Sequence, residues 1–128
     1  MDLSLGNARV IVTAGAGGIG RAIVDAFLAE GAHVATCDID DAGLATLPDS
    51  VFCRRVNVQD ASALASFMDD AITALGGLDC LINNAGIAGP TGRIEELELD
   101  AVRQCIDICL TSQFVTTGRA VPHLRKSA

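Results

Sequence analysis

Short β-branched and apolar runs alternate along the chain with segments whose apolar residues recur every three or four positions. A short unbroken apolar run reads as a strand buried on both faces, and the 3.6-residue recurrence reads as an amphipathic helix. Ala8–Thr13 predicts the first strand. Gly18–Glu30 predicts a helix with its stripe at Ile19, Ile23, Ala26 and Phe27, and Gly31 stands where a helix-ending residue adopts positive φ. Ala32–Cys37 predicts a second strand, Asp41–Leu47 a short helix stopped by Pro48, and Val51–Val58 a third strand. Asp60 is placed to cap a helix whose stripe is Leu64, Phe67, Met68, Ala71, Ile72 and Leu75, ended by Gly76-Gly77. Leu78–Asn83 predicts a fourth strand, apolar enough to be central, and Gly86–Arg93 a loop. The last helix is expected from Asp100 to about Leu124, with a stripe of Val102, Ile106, Cys109, Leu110 and Phe114 and with Pro122 near its end.

The order βαβαβαβα implies a parallel sheet joined by right-handed crossover helices. The expected architecture is therefore α/β: a doubly wound parallel sheet in three α/β/α layers, whose common order for four strands is 3-2-1-4. Ligands of such sheets bind at the carboxyl ends of the strands, at the switch between strands 1 and 4. The 128 residues form one domain, with no repeat and no linker. Strand 4 is then an exposed edge, which needs a cover.

Composition narrows the function. Half the residues are hydrophobic and 20% are charged, which fits a soluble globular domain. The net charge of −7 and the four Phe as sole aromatics argue against nucleic-acid binding. No apolar run approaches the roughly 20 residues of a membrane-spanning helix. The first residues lack the basic and apolar regions of a signal peptide, so a cytoplasmic location is expected. The five cysteines include no C-x-x-C pair, so Cys37, Cys53 and Cys80 are expected as buried free thiols in a reducing compartment. Cys105 and Cys109 are four apart on the last helix, but no His stands in the same turn, so no metal site is expected. The chain has no tyrosine and one lysine, Lys126.

Gly15, Gly17 and Gly20 satisfy G-x-G-x-x-G between the first strand and the first helix. Small residues there let the backbone turn tightly and approach a pyrophosphate, toward which the helix directs its free N–H groups. Asp38 ends the second strand 18 residues after Gly20, near the spacing at which a carboxylate accepts hydrogen bonds from a ribose. That carboxylate repels a 2′-phosphate, and neither Gly17 nor Ile39 is basic, so NAD is expected over NADP.

The glycine loop, Asp38, Asn57-Val58 and Asn83-Asn84-Ala85-Gly86 together resemble the short-chain dehydrogenase/reductase family, over essentially the whole chain. The resemblance implies a Rossmann-type fold and an NAD(P)-dependent oxidoreductase, passing hydride between nicotinamide and a small carbonyl or alcohol. It implies that Gly15, Gly17, Gly18, Ile19 and Gly20 form the phosphate loop, although Ala14 stands where the family has its first glycine. Asp38 and Ile39 would meet the adenosine ribose, and Asn57 and Val58 the adenine. Asn84, Ala85 and Gly86 would line the ribose and the approach to nicotinamide, with Asn83 tying strand 4 to its neighbours. The family's catalytic Asn position holds Cys109, which lacks an amide to hold a proton-relay water. The family's Tyr-x-x-x-Lys is absent, so the chain alone is expected to be inactive, the cofactor half of a longer or truncated dehydrogenase. A homo-oligomer through the last helix is also implied. The alternative is a non-catalytic dinucleotide-binding or interaction module.

Overall fold

A computed structural model describes residues 1–128. Four strands, β1 (Arg9–Thr13), β2 (His33–Asp38), β3 (Phe52–Arg55) and β4 (Cys80–Ile82), form one sheet in the order β3-β2-β1-β4. All three pairings are parallel, with Arg9 opposite His33, Ala35 opposite Phe52, and Val10 opposite Cys80. The helices are α1 (Gly18–Ala29), α2 (Asp41–Ala45), α3 (Ala61–Leu75), α4 (Leu99–Ile106) and α5 (Ser112–Ser127), and a π-helical turn, Asp107–Thr111, joins the last two.

Strand residues alternate between two cores. Val10, Val12 and Val34 face α1 with Val24, and Leu47 and Val51 close that layer. Ile11, Ala35 and Cys37 face the other way, against Leu64, Phe67, Met68 and Ala71 of α3 and Ala120 of α5. This is the three-layer doubly wound arrangement that the alternation of runs predicts. Asp60 caps α3 by accepting from the Ala63 N–H at 3.0 Å, and Gly76, at φ 78°, ends it. Arg9 and Asp79 brace the opposite end of the sheet, where the carboxylate accepts from the Arg9 backbone N–H at 2.8 Å and from its guanidinium.

Several elements differ from expectation. Strand β3 is shorter than Val51–Val58 because only its first residues pair with β2, and as an edge strand it leaves Cys53 exposed rather than buried. Cys37 is buried and Cys80 half-buried. Ile19 is 76% exposed, so the inward face of α1 is carried by Gly20 and Val24. The last helix continues through Pro122 to Ser127 and contains the π turn. Its inward face is Ser112, Thr116 and Ala120, whose small side chains let α5 lie close to the sheet, whereas Ile106, Leu110 and Phe114 face outward.

Candidate functional site

Everything the glycine loop needs is set by its two neighbours, β2 and β4. The Ala14 N–H donates to the Cys37 carbonyl at 2.8 Å, which pins the loop's start to β2. A side chain at Gly15 would collide with Thr36, its Cβ falling 2.2 Å from Oγ1, and one at Gly20 would fall 2.0 Å from the Ala14 carbonyl oxygen. These two glycines therefore let α1 sit hard against the sheet. Gly17 and Gly18 are different: a Cβ at either meets nothing within 4 Å. Gly17 caps α1 with no side-chain hydrogen bond, and the first turn holds no acid. The N–H groups at the start of α1 are left without a side-chain cap, the condition that an anion fits.

Asp38, at the tip of β2, faces this loop. Its Oδ2 accepts from the Ala16 N–H at 3.0 Å, and its Oδ1 accepts from the Asp40 N–H at 3.1 Å. Each oxygen keeps a lone pair for a further donor. Behind the carboxylate lies a cavity of about 190 Å³ at the carboxyl ends of all four strands. Asp38, Ile39, Asn57, Val58, Ala85 and Gly86 all line it, as do Ala14, Cys37, Val56, Ile87 and Ile108. Burial pushes the Cys37 thiol up to about 12. The lining is mostly apolar with a few polar groups at one side, which suits a flat heterocycle next to a polar sugar. A larger groove of about 360 Å³ opens at the other end of the sheet, beside Arg9, His123 and Lys126. It lies at the amino ends of the strands, away from the switch point where doubly wound sheets bind ligands.

Two asparagines are already committed. Asn84 donates its side-chain amide to the carbonyls of Thr13 and Ala14, both at 3.1 Å, so it holds β4 and the glycine loop together from behind the cavity. Asn57 accepts from the Gln59 N–H at 3.0 Å through Oδ1, a turn that still leaves the oxygen a second lone pair toward the cavity. Asn83 ties β4 not to its neighbouring strand but to α5, accepting from the Thr116 hydroxyl at 2.6 Å. Cys109 lies in the π turn with its thiol donating to the Ile87 carbonyl at 3.3 Å.

Thr13 was not singled out by sequence reasoning. Its Oγ1 accepts from the N–H groups of both Asn84 and Ala85 at 3.0 Å, which sets the strand-to-loop turn at β4. The signal was present, since a hydroxyl ends an otherwise apolar strand beside the glycine loop. Ile87 was also missed, although it directly follows Gly86.

The comparisons with known proteins agree with this geometry. Residues 8–128 match the family model described as short chain dehydrogenase. The chain is 42% identical to L-fucose dehydrogenase of Bos taurus, covering 92% of this chain and 45% of that protein. It is 35% identical to 2-dehydro-3-deoxy-L-rhamnonate dehydrogenase (NAD(+)) of a Sphingomonas strain, covering 89% of this chain and 47% of that protein. Ligand-free aldohexose dehydrogenase of Thermoplasma acidophilum superposes with a TM-score of 0.86 at 28% identity, over 96% of this chain and 46% of that one. A short chain dehydrogenase from Burkholderia cenocepacia in complex with NADP superposes at 0.82 and 31% identity, over 94% of this chain and 52% of that one. The chain belongs to the short-chain dehydrogenase family and has its Rossmann-type fold. It spans about half the length of the curated relatives it matches.

Proposed function

We propose that residues 1–128 are the cofactor-binding part of an NAD-linked oxidoreductase that interconverts an alcohol and a carbonyl. The observation that carries this reading is the Asp38 carboxylate, fixed by the Ala16 and Asp40 N–H groups at the mouth of an apolar cavity and facing an uncapped helix. The open α1 terminus and Gly17-Gly18 would hold the pyrophosphate, with Ile19 beside them. Asp38 and Ile39 would hold the adenosine ribose, and Asn57, Val58 and Ile87 the adenine, with Ala85 and Gly86 leading toward the nicotinamide. The nicotinamide, when bound, supplies or accepts the hydride.

NAD is preferred because a 2′-phosphate would meet the Asp38 charge, and Arg21 is drawn away, donating to Asp25 and to the Thr46 hydroxyl. No residue of this chain is proposed as the proton donor, since it has no tyrosine and Cys109 is engaged with Ile87. The substrate class proposed is a hydroxylated, sugar-like alcohol or carbonyl, on the strength of the sugar and sugar-acid dehydrogenases among its relatives. The outward stripe of Ile106, Leu110 and Phe114 supports a homo-oligomer, and the five free thiols support the cytoplasm. No helix is long and apolar enough to cross a membrane.

Calorimetric titration with NADH, beside a hydride-transfer assay over a panel of deoxyhexoses and their lactones, tests the proposal. Residues 1–128 should bind NADH without turnover. Failure to bind either NADH or NADPH overturns it.

A further inference from the structure

Three features of Cys105 and Cys109 are unused by the cofactor reading. Their sulfurs lie 4.0 Å apart. The π turn Asp107–Thr111 begins between them. Both sulfurs also seat the loop after β4. Cys109 exchanges hydrogen bonds with Ile87, its Sγ accepting from the N–H at 3.4 Å and donating to the carbonyl at 3.3 Å. Gly89, at φ 75°, lies so close to Cys105 that an added Cβ would stand 2.7 Å from its Sγ. The same loop gives Gly86 and Ile87 to the cavity wall.

We propose that Cys105 and Cys109 are an oxidisable dithiol, which a peroxide closes to an intrahelical disulfide that unseats the Gly86–Gly89 loop and weakens dinucleotide binding. The coupling to binding rests on the cofactor reading, whereas the thiol chemistry does not. A disulfide wants its Cβ atoms about 3.8 Å apart and its sulfurs at about 2.05 Å. Positions i and i+4 of a regular helix hold their Cβ atoms about 5–6 Å apart. Closing the bond therefore draws the turn inward and takes both sulfurs from the loop they support.

In the first step the Cys109 thiolate attacks a peroxide oxygen. An S–O bond forms, the O–O bond breaks, and water leaves with the thiol's proton. The Cys105 sulfur then attacks Cys109 Sγ. The S–S bond forms, the S–O bond breaks, and the hydroxide leaves as water with the Cys105 proton. Two thiols lose two electrons and two protons, and hydrogen peroxide becomes two waters. Desolvation and the neighbouring Cys109 sulfur push the Cys105 thiol up.

Tryptic cleavage isolates the pair, because the peptide Gln104–Arg119 holds Cys105 and Cys109 and no other cysteine. The purified protein is treated with hydrogen peroxide, alkylated and digested, and a parallel sample is titrated with NADH. The expected peptide is unalkylated and about 2 Da lighter, reverting with dithiothreitol. The NADH Kd should rise by at least about five-fold and recover on reduction. Cys105→Ser should never show the lighter peptide, and peroxide should change its NADH Kd by less than about two-fold from its own untreated value. Two thiols that stay alkylatable, or a sulfinic acid on Cys109 without a disulfide, overturn the proposal. A disulfide with unchanged NADH affinity overturns the coupling. NADH failing to bind the reduced protein overturns the cofactor reading and the coupling with it, while the peptide mass still decides the thiol chemistry.

Discussion

Asn84 and Thr13 hold each other twice, through the Asn84 backbone N–H on the Thr13 hydroxyl at 3.0 Å and through the Asn84 amide on the Thr13 carbonyl at 3.1 Å. This clasp joins β4 to the glycine loop and so sets the depth of the cleft. Thr13 is buried, and its oxygen also accepts from the Ala85 N–H. Thr13→Val keeps the shape but strands two backbone donors, which should cost about 2–4 kcal/mol in urea unfolding. Thr13→Ser should recover most of that. A loss under about 0.5 kcal/mol in the valine variant would mean that the clasp contributes little.

Ala14 adopts φ 56°, a left-handed conformation that a side chain disfavours by about 1–2 kcal/mol. Glycine relieves the strain but adds freedom to the unfolded chain. Ala14→Gly should therefore stabilise the protein modestly, by up to about 1 kcal/mol, seen as a higher urea midpoint with an unchanged slope.

The Arg9 guanidinium, with help from the Ser127 hydroxyl and the Arg9 backbone N–H, holds the Asp79 carboxyl well below the usual carboxylate range. A carboxylate depressed in the folded state stabilises above its unfolded pKa, about 3.9, and loses that contribution as pH falls toward its folded value. Asp79→Asn should be less stable than the parent at pH 7, and the gap should shrink below about pH 4. Unfolding curves at pH 7, 5 and 3 check this, and a gap independent of pH would assign the effect to packing.

Burial raises the Cys37 thiol to about 12, whereas Cys53 is exposed on the edge strand. At pH 8 an aromatic disulfide reagent should label Cys53 quickly and Cys37 only after unfolding. Mass mapping of the labelled peptides distinguishes them, and rapid labelling of native Cys37 would place it outside the core.

The α/β layering was legible because short apolar strands alternate with amphipathic helices, and the order 3-2-1-4 because it is the common order of such doubly wound sheets. The glycine-rich turn into α1 was legible because it combines small residues with a following helix. The inward face of α5 was not legible. Its small residues Ser112, Thr116 and Ala120 carry no hydrophobic signal, while the stronger stripe of Ile106, Leu110 and Phe114 points outward. The π turn was equally hidden, since it lies where Cys109 meets Ile87 across the fold, a contact that periodicity along the chain does not encode. Asn84's hold on the glycine loop was likewise not legible, because its amide donates to the Thr13 and Ala14 carbonyls, partners that a motif does not name.

The central claim is that Asp38 reads the adenosine ribose and turns away a 2′-phosphate. Charge-assisted hydrogen bonds contribute about 1.5–3 kcal/mol, or roughly ten- to a hundred-fold in affinity. Paired calorimetric titrations of the parent and Asp38→Ala with NADH and NADPH measure this directly. The parent should bind NADH at least about ten-fold more tightly than NADPH, and Asp38→Ala should weaken NADH by about ten-fold while bringing the two cofactors within about three-fold of each other. A variant that discriminates as the parent does would contradict the role given to Asp38, and a parent that prefers NADPH would contradict the cofactor assignment itself.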